Sequence, residues 1–481
     1  MGRYWLGIDF GTSGVRTIAV DEMGAVVAHS RADSYPNDYA NGVSDVGEQI
    51  NQGYSLPQVD SWWIALGQVL AALPQAVRSG LAGIVIDGTS ATVVLCDGAG
   101  VPVTGVKIYS DRAGDQSLAA IQQITPQGHL ARSATATWPK VYELWQQYLG
   151  INGDMRHDSQ DFVCHDADNN NIYVMHQADL CGYWLHGRMG ITDYHNALKL
   201  GYDPVRLAYP DWLRDGLKNS HPLHQQPRDL GRHLNLPQVF APAQPVGYIR
   251  AQWVESLGIA ADCLIGAGTT DSTAAFLASI APSAPGVGMA VTSLGSTMVL
   301  KVLADEPVSD PVYGVYSHRW DQDGATFWLV GGASNVGGAV LRQFFSDAEL
   351  QQLTAAIDPR FDSPLEYYPL PQVGERFPLN DPHLLPQLTP RPADNAAFLH
   401  GLLTSMARIE AQGYGVLRDL GAPWPKQIYT TGGGAKNPVW TQLRQRQISQ
   451  KFQPAPQILV ARETEAAYGS ALLARSKLNC N

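Results

Sequence analysis

The chain has 481 residues, 45% of them hydrophobic, and 44 acidic against 33 basic side chains give a formal net charge of −11. That length suits roughly two to four domains with sizeable cores, and the acidic balance argues against nucleic acid or an anionic membrane as a main partner. No apolar run is long enough to span a bilayer, and the first residues lead straight into a strand pattern, with no room for a signal segment. Five scattered cysteines without a C-x-x-C read as reduced, packed thiols of a cytoplasmic protein.

The first predicted element is an apolar strand through Leu6, Gly7 and Ile8 that delivers Asp9 to its tip, followed by Gly11-Thr12-Ser13-Gly14 and a second strand over 15–20. Glycines without a Cβ let such a turn bring backbone N–H groups against a phosphate. Asp9 supplies a fixed negative charge where hydrated magnesium or a sugar hydroxyl would sit. Read alone, the segment is equally an ordinary turn carrying an aspartate. Residues 37–60, polar and Gly-rich, read as a loop insertion. A strand over 83–90 ends in Gly88-Thr89-Ser90, with 92–96 as its partner strand. Ser90 is no nucleophile elbow, because Thr92 stands where the second glycine is required. A second polar insertion covers 152–171. Within it Asp166-Ala167-Asp168 opens like a calcium loop, but Asn171 and Gln177 occupy the positions that need Gly and Glu. Residues 205–247 read as an irregular connection with short helices, in which His221, His224 and His233 lack partners at metal-binding spacing.

At Gly266-Ala267-Gly268-Thr269-Thr270-Asp271 a buried strand turns into a helix, with Thr270 as a plausible N-cap. Asp271 in the first turn either complements the helix dipole or acts as a general base on a hydroxyl, a role for which a weak but well-placed carboxylate suffices in phosphoryl transfer. The hairpin pattern then returns at 291–300 around Leu294-Gly295-Ser296-Thr297, suggesting a duplicated α/β fold that grips one polyphosphate. Gly331 to Gly338, Gly337 included, offers a second backbone surface. Residues 356–396 carry many prolines and read as a surface wrap, and 396–413 is helical by period. In Thr431-Gly432-Gly433-Gly434-Ala435-Lys436-Asn437-Pro438-Val439-Trp440 bare backbone suits a flat ring or ribose, Asn437 an adenine edge and Trp440 its face. A strand–helix turn with a core tryptophan reads equally well. Small residues after Glu465 suit a tightly packed terminal helix. Walker A and G-x-G-x-x-G patterns are absent.

The series DFGTSGVR, DGTSATVVLCD, TDYHNALKLGYD, GAGTTDSTAAF, TSLGSTMVLK, GGASNVGGA, TTGGGAKNPVW and ETEAAYGSA resembles the FGGY carbohydrate kinases in order and along nearly the whole chain, and most resembles the D-ribulose kinases of cyanobacteria and plant plastids. The resemblance implies an α/β protein of two actin-like (ribonuclease H-like) lobes with a ligand cleft between them. The expected boundaries are 1–278 for the sugar lobe, 279–458 for the nucleotide lobe and 459–481 for a terminal helix packing back on the first. It implies ATP and Mg2+, with Asp9 beside metal and sugar, Thr12 and Ser13 near the transferred group, Ser90 on the sugar and Asp271 as base. Gly295, Ser296, Thr297 and Gly337 then hold phosphates, while Gly433, Gly434, Asn437 and Trp440 enclose adenosine. Gly88-Thr89-Ser90-Ala91 lacks the histidine of typical bacterial xylulose kinases, and Tyr109-Ser110-Asp111-Arg112 stands for the family's usual W-N-D-x-R. The expected reaction is therefore D-ribulose to D-ribulose 5-phosphate by a monomer or homodimer. D-xylulose or another ketose or polyol is the rival substrate, and an actin-like clamp without sugar transfer the rival class.

Overall fold

A computed structural model describes residues 2–32, 57–150, 171–218, 233–281 and 283–479. The chain divides into two units, Met1–Ala275 with Glu465–Asn481, and Phe276–Thr464. Most of both polar insertions lies outside the described residues, as do residues 166–170 that open the calcium-like loop, His221, His224, Cys164 and Cys480. The rest of that loop is the strand Asn171–His176 and Gln177 at the start of a helix.

The first unit is built on a seven-stranded sheet. Its order is Pro245–Tyr248, Leu264–Gly266, Leu81–Gly88, Tyr4–Gly11, Gly14–Val20 and Val26–Ala32, with Thr269–Thr270 pairing the end of Leu81–Gly88. The first three strands in sequence form an antiparallel meander, and Leu81–Gly88 then joins Tyr4–Gly11 in parallel. Alternation decides the faces. Leu6, Ile8 and Phe10 point into a core with Trp62, Leu66 and Val69 of helix Pro57–Ala71 and with Leu180 and Cys181 of helix Gln177–His186. On the opposite face Gly7 admits the terminal helix Ala466–Lys477 so closely that a Cβ there would run into the Ala467 carbonyl.

The second unit repeats this order. Met289–Leu294 and Met298–Ala304 form the hairpin, Ala325–Ser334 adds antiparallel, and Gln427–Thr431 and Gln457–Val460 join in parallel on the other side, with Tyr316–Gln322 as an extra edge. Five strands in the same order and sense therefore occur twice, as the recurring hairpin implies.

Several elements depart from the sequence reading. Val93–Cys96 pairs with Asn171–His176 in a separate small sheet rather than with Leu81–Gly88. Pro245–Tyr248, read as connection, is an edge strand of the main sheet. Residues from 57 belong to a helix rather than to the loop insertion. The predicted 396–413 helix spans Asn395–Asp419, because Gly413 is no terminator: it admits Leu300 and Phe377 against the helix. The proline-rich segment before it is more than a surface wrap, since Tyr367, Leu370, Phe377 and Glu375 are all buried. Cys96, Cys181 and Cys263 are buried free thiols, and among the described residues no helix is long and apolar enough to cross a membrane.

Candidate active site

In the first unit the strand ends bring three carboxylates into electrostatic contact. Asp9 and Asp87 are register partners on adjacent parallel strands, and Thr269 pairs with Asp87, which sets Asp271 two residues beyond at the start of helix Asp271–Ile280. Asp271 Oδ1 accepts from the Ser272 N–H at 2.6 Å. Thr270, expected as an N-cap, pairs its hydroxyl with that of Thr273 at 2.9 Å.

Asp9 is not the simple fixed charge that the sequence suggests. Burial pushes its carboxyl up to about 6, a hydrogen bond with Asp87 opposes this, the Asp271 charge adds to the rise and Arg16 counters it. Asp87 is fully buried and pushed well above its ordinary value by burial and then by Asp9, against the lowering effect of a bond from the Ser470 hydroxyl at 2.5 Å. Two hydrogen-bonded carboxyls in low dielectric share a proton rather than both ionising. Oδ1 of each is buried without a hydrogen-bond partner. An orphaned carboxylate oxygen at a turn suits a divalent cation that takes its remaining ligands from phosphate and water. Among the described residues no group of three or more His, Cys, Asp or Glu is arranged to hold a metal ion by itself.

Around this core Thr12 and Ser13 are the exposed tip of the hairpin, and Gly14 at φ 143° makes that turn possible. Arg16, unassigned by the sequence, lies 3.7 Å from Asp9 Oδ2 and 3.8 Å from Glu465. The Ser90 hydroxyl is buried without a partner, and the next residue, Ala91, is held at φ 66°, a strained position for a residue with a Cβ.

The segment Thr192–Asn196, recognised as a motif but given no role, forms a buried polar web. Asp193 caps the turn by accepting from the His195 and Asn196 N–H groups at 2.8 and 3.1 Å. The Asn196 amide reaches Asp193 at 2.6 Å and the Thr269 carbonyl at 3.1 Å, and the His195 ring meets the Thr269 hydroxyl at 2.8 Å. These bonds fasten the strand that carries Asp271. Burial, then the Asp179 charge, raise Asp193 to about 7.

In the second unit the residues read as nucleotide contacts divide into two kinds. Gly295, Ser296 and Thr297 form the hairpin turn. Gly337 lies against that turn, with no room for a Cβ, which would sit 2.5 Å from the Ser296 carbonyl. Gly432, at φ 81°, leads into the 3-10 turn Gly433–Lys436, and a Cβ on Gly433 would meet only open space. Asn437 is already engaged: its Oδ1 caps the helix Pro438–Lys451 through the Trp440 N–H at 2.9 Å and its amide meets Thr354 at 3.2 Å. Trp440 is 3% exposed in the core, and Gly434 rests on its ring, where a Cβ would come within 2.5 Å. The indole therefore props the glycine turn from beneath instead of covering a base, and Asn437 holds the helix instead of reading an adenine edge.

Gly433→Ala is accordingly expected to leave thermal stability unchanged and to raise the ATP KM roughly 5- to 150-fold, equivalent to the 1–3 kcal/mol of a methyl group forced into a filled space. Steady-state kinetics with a melting curve check both. Gly434→Ala, which meets Trp440 and the Leu294 Cβ, should lower the melting temperature instead.

Residues 290–476 match the model of the C-terminal domain of the FGGY family of carbohydrate kinases. Three solved structures share the fold over nearly the whole chain. A gluconate kinase from Lactobacillus acidophilus is 18% identical with a TM-score of 0.74, covering 100% of this chain and 90% of that one. A ligand-bound xylulose kinase from the same organism is 18% identical at 0.73, with 100% and 90% covered. Plasmodium falciparum glycerol kinase with ADP is 12% identical at 0.72, with 100% and 91% covered. With its two actin-like sheets, the protein is a carbohydrate phosphotransferase, and its residues 290–476 are similar to the C-terminal domain of the FGGY family of carbohydrate kinases.

Proposed function

We propose that the protein transfers the γ-phosphoryl group of ATP to a hydroxyl of D-ribulose, giving D-ribulose 5-phosphate, with Asp271 as general base. The observation that carries this reading is the convergence of Asp271, Asp9 and Asp87 at neighbouring strand ends, with the buried, unpartnered Ser90 hydroxyl in the turn that follows the Asp87 strand. Asp271 takes the proton of the attacking hydroxyl, the oxygen bonds to the γ-phosphorus, and ADP leaves with the electrons of the broken P–O bond. Such a reaction needs positioning and charge stabilisation more than strong base catalysis. Mg2+, when bound, neutralises charge on the transferred group, and Asp9 is the residue that would hold it. Thr12 and Ser13 supply hydroxyls near that group. The Gly295–Thr297 turn and the open surface at Gly433 take the nucleotide, with Gly337 packed behind the first and Gly434, Asn437 and Trp440 supporting the second.

D-ribulose is favoured by the motif Gly88-Thr89-Ser90-Ala91, which lacks the histidine that typical xylulose kinases carry there. The xylulose kinase among the structural neighbours favours D-xylulose as the second reading. Coupled ADP release with Mg-ATP against D-ribulose, L-ribulose, D-xylulose, L-xylulose and glycerol decides between them. Stimulation by D-ribulose above the others supports the proposal, and preference for D-xylulose or glycerol overturns the substrate.

A further inference from the structure

Lys140 is a charged residue in the interior with no carboxylate of the described residues in an ion pair with its ammonium. It lies in helix Thr137–Tyr148 and is 0% exposed. Its Nζ donates to three backbone carbonyls, those of Ala91 at 3.0 Å, Ile108 at 2.7 Å and Tyr109 at 3.3 Å. An ammonium has three protons and no acceptor, so the set matches its capacity. A neutral amide would cross-link two loops with less desolvation, so the charge asks for a reason. Burial, reinforced by Lys199 and Lys107 and opposed by Asp111, lowers Lys140 to about 8, which leaves it mainly charged at neutral pH.

The Ala91 carbonyl lies in the segment 88–91 that lacks the histidine of xylulose kinases, the Tyr109 carbonyl opens the segment 109–112 that departs from the family's W-N-D-x-R, and Ile108 immediately precedes it. Ala91 stands at φ 66°, directly after the buried, unpartnered Ser90 hydroxyl. The segments are also joined to each other: Val93 and Lys107 exchange N–H···O bonds at 2.9 Å, and the Tyr109 N–H donates to the Thr92 hydroxyl at 3.0 Å. One turn further along the same helix, Glu143 accepts from Lys107 and from the Gly114 N–H, both at 2.9 Å. The helix thus grips the second loop at two points, and only Lys140 reaches the Ser90–Ala91 turn as well.

The geometry points to Lys140 as the positioning residue of the sugar site, its ammonium holding the Ser90–Ala91 turn in its strained conformation and fixing it against the Tyr109 loop, so that the Ser90 hydroxyl meets a sugar hydroxyl in a set orientation. This rests on the assignment of Ser90 to the sugar. It gives the protein a substrate selectivity set by backbone geometry as well as by side-chain identity.

The test is Lys140→Met, which keeps the stem and removes the three donors. Two readouts are taken: amide hydrogen exchange across 88–92 and 107–111, which needs no substrate, and steady-state kinetics with separate KM values for sugar and ATP. Exchange at the Thr92, Tyr109 and Asp111 amides should rise at least about tenfold, the sugar KM should rise by a similar factor, and the ATP KM should stay within about twofold. In addition Ser90→Ala should cost less in the Lys140→Met background than alone, the mark of two residues acting through one another. Unchanged exchange overturns the inference whatever the kinetics. Faster exchange with an unchanged sugar KM overturns it by another route, because Lys140 then holds the turn without serving the sugar, whereas the Ser90 assignment itself falls only if Ser90→Ala alone leaves the sugar KM unchanged. Should Lys140→Met fail to fold, Lys140→Gln keeps a polar head on a shorter stem that no longer reaches all three carbonyls, and the same exchange and KM outcomes apply to it.

Discussion

Asp271→Ala is expected to lower kcat for sugar phosphorylation by about two to four orders of magnitude, the range for loss of a general base, while the Kd for ATP stays within about threefold. The argument is positional. Asp271 opens its helix immediately after Thr269–Thr270, whose register with Asp87 and Gly88 fixes it beside Asp9. Its carboxylate is oriented by the Ser272 N–H at 2.6 Å, and the strand behind it is anchored through Asn196 and His195. Asp271→Asn keeps that N–H bond and loses only the ability to take a proton, so it should be as inactive as the alanine variant. Single-turnover transfer with isothermal titration of ATP checks the pair of expectations. Undiminished transfer in Asp271→Asn removes Asp271 as the base.

Glu410→Ala should destabilise the second unit by about 3–5 kcal/mol, the cost of breaking a buried ion pair from one side, which for a body of this size lowers its melting temperature by roughly 6–20 °C. Glu410 and Arg444 are both fully buried and meet through two bonds of 2.5 and 2.6 Å. The pair is also tied to the sheet: Thr292 donates to Glu410 at 2.6 Å, and Arg444 donates to Thr430 at 2.8 Å. Thr292 and Thr430 are register partners on adjacent parallel strands. Those strands end in the Gly295 and Gly432 turns, so the loss should raise the ATP KM before it unfolds the protein. Calorimetry checks the stability, and replacing both partners by apolar residues should cost less than removing either one, since no charge is then left buried alone.

The parts of this protein that are legible in its sequence are those specified locally. Apolar alternation interrupted by Gly and hydroxyl residues marks both hairpins, because only such residues make those turns, and the repetition of that pattern announces the duplicated fold. The helix-opening place of Asp271 is visible for the same reason, as the residue after a strand-to-helix glycine turn. The rest depends on pairing across the chain. Asp87 looks like any strand-end aspartate until Ser470, 383 residues later, donates to it. Glu410 and Arg444 sit in helices whose sequences carry many polar residues, and their burial follows only from packing. Asn437 and Trp440 show the opposite error. An amide and an indole beside three glycines have the composition of a base-binding loop, yet the fold uses the first as a helix cap and the second as a floor. Composition near a turn identifies the turn, and only tertiary contact identifies which side chains face outward from it.

The passage of the terminal helix across Gly7 also bears on how the molecule is made. The first unit's sheet is complete in sequence by Thr270, but one face of its first strand is covered by Ala466–Lys477, and the fit of Gly469 against the Ala274 carbonyl and of Ser470 against Asp87 belongs to the same surface. On the ribosome, the N-terminal part must therefore wait, with that face bare, until the whole of Phe276–Thr464 has been synthesised. The second unit, continuous in sequence, is free to fold first. Synthesis thus reverses the order in which the halves are finished, and the residues that seal the carboxylate pair are translated only after the second unit.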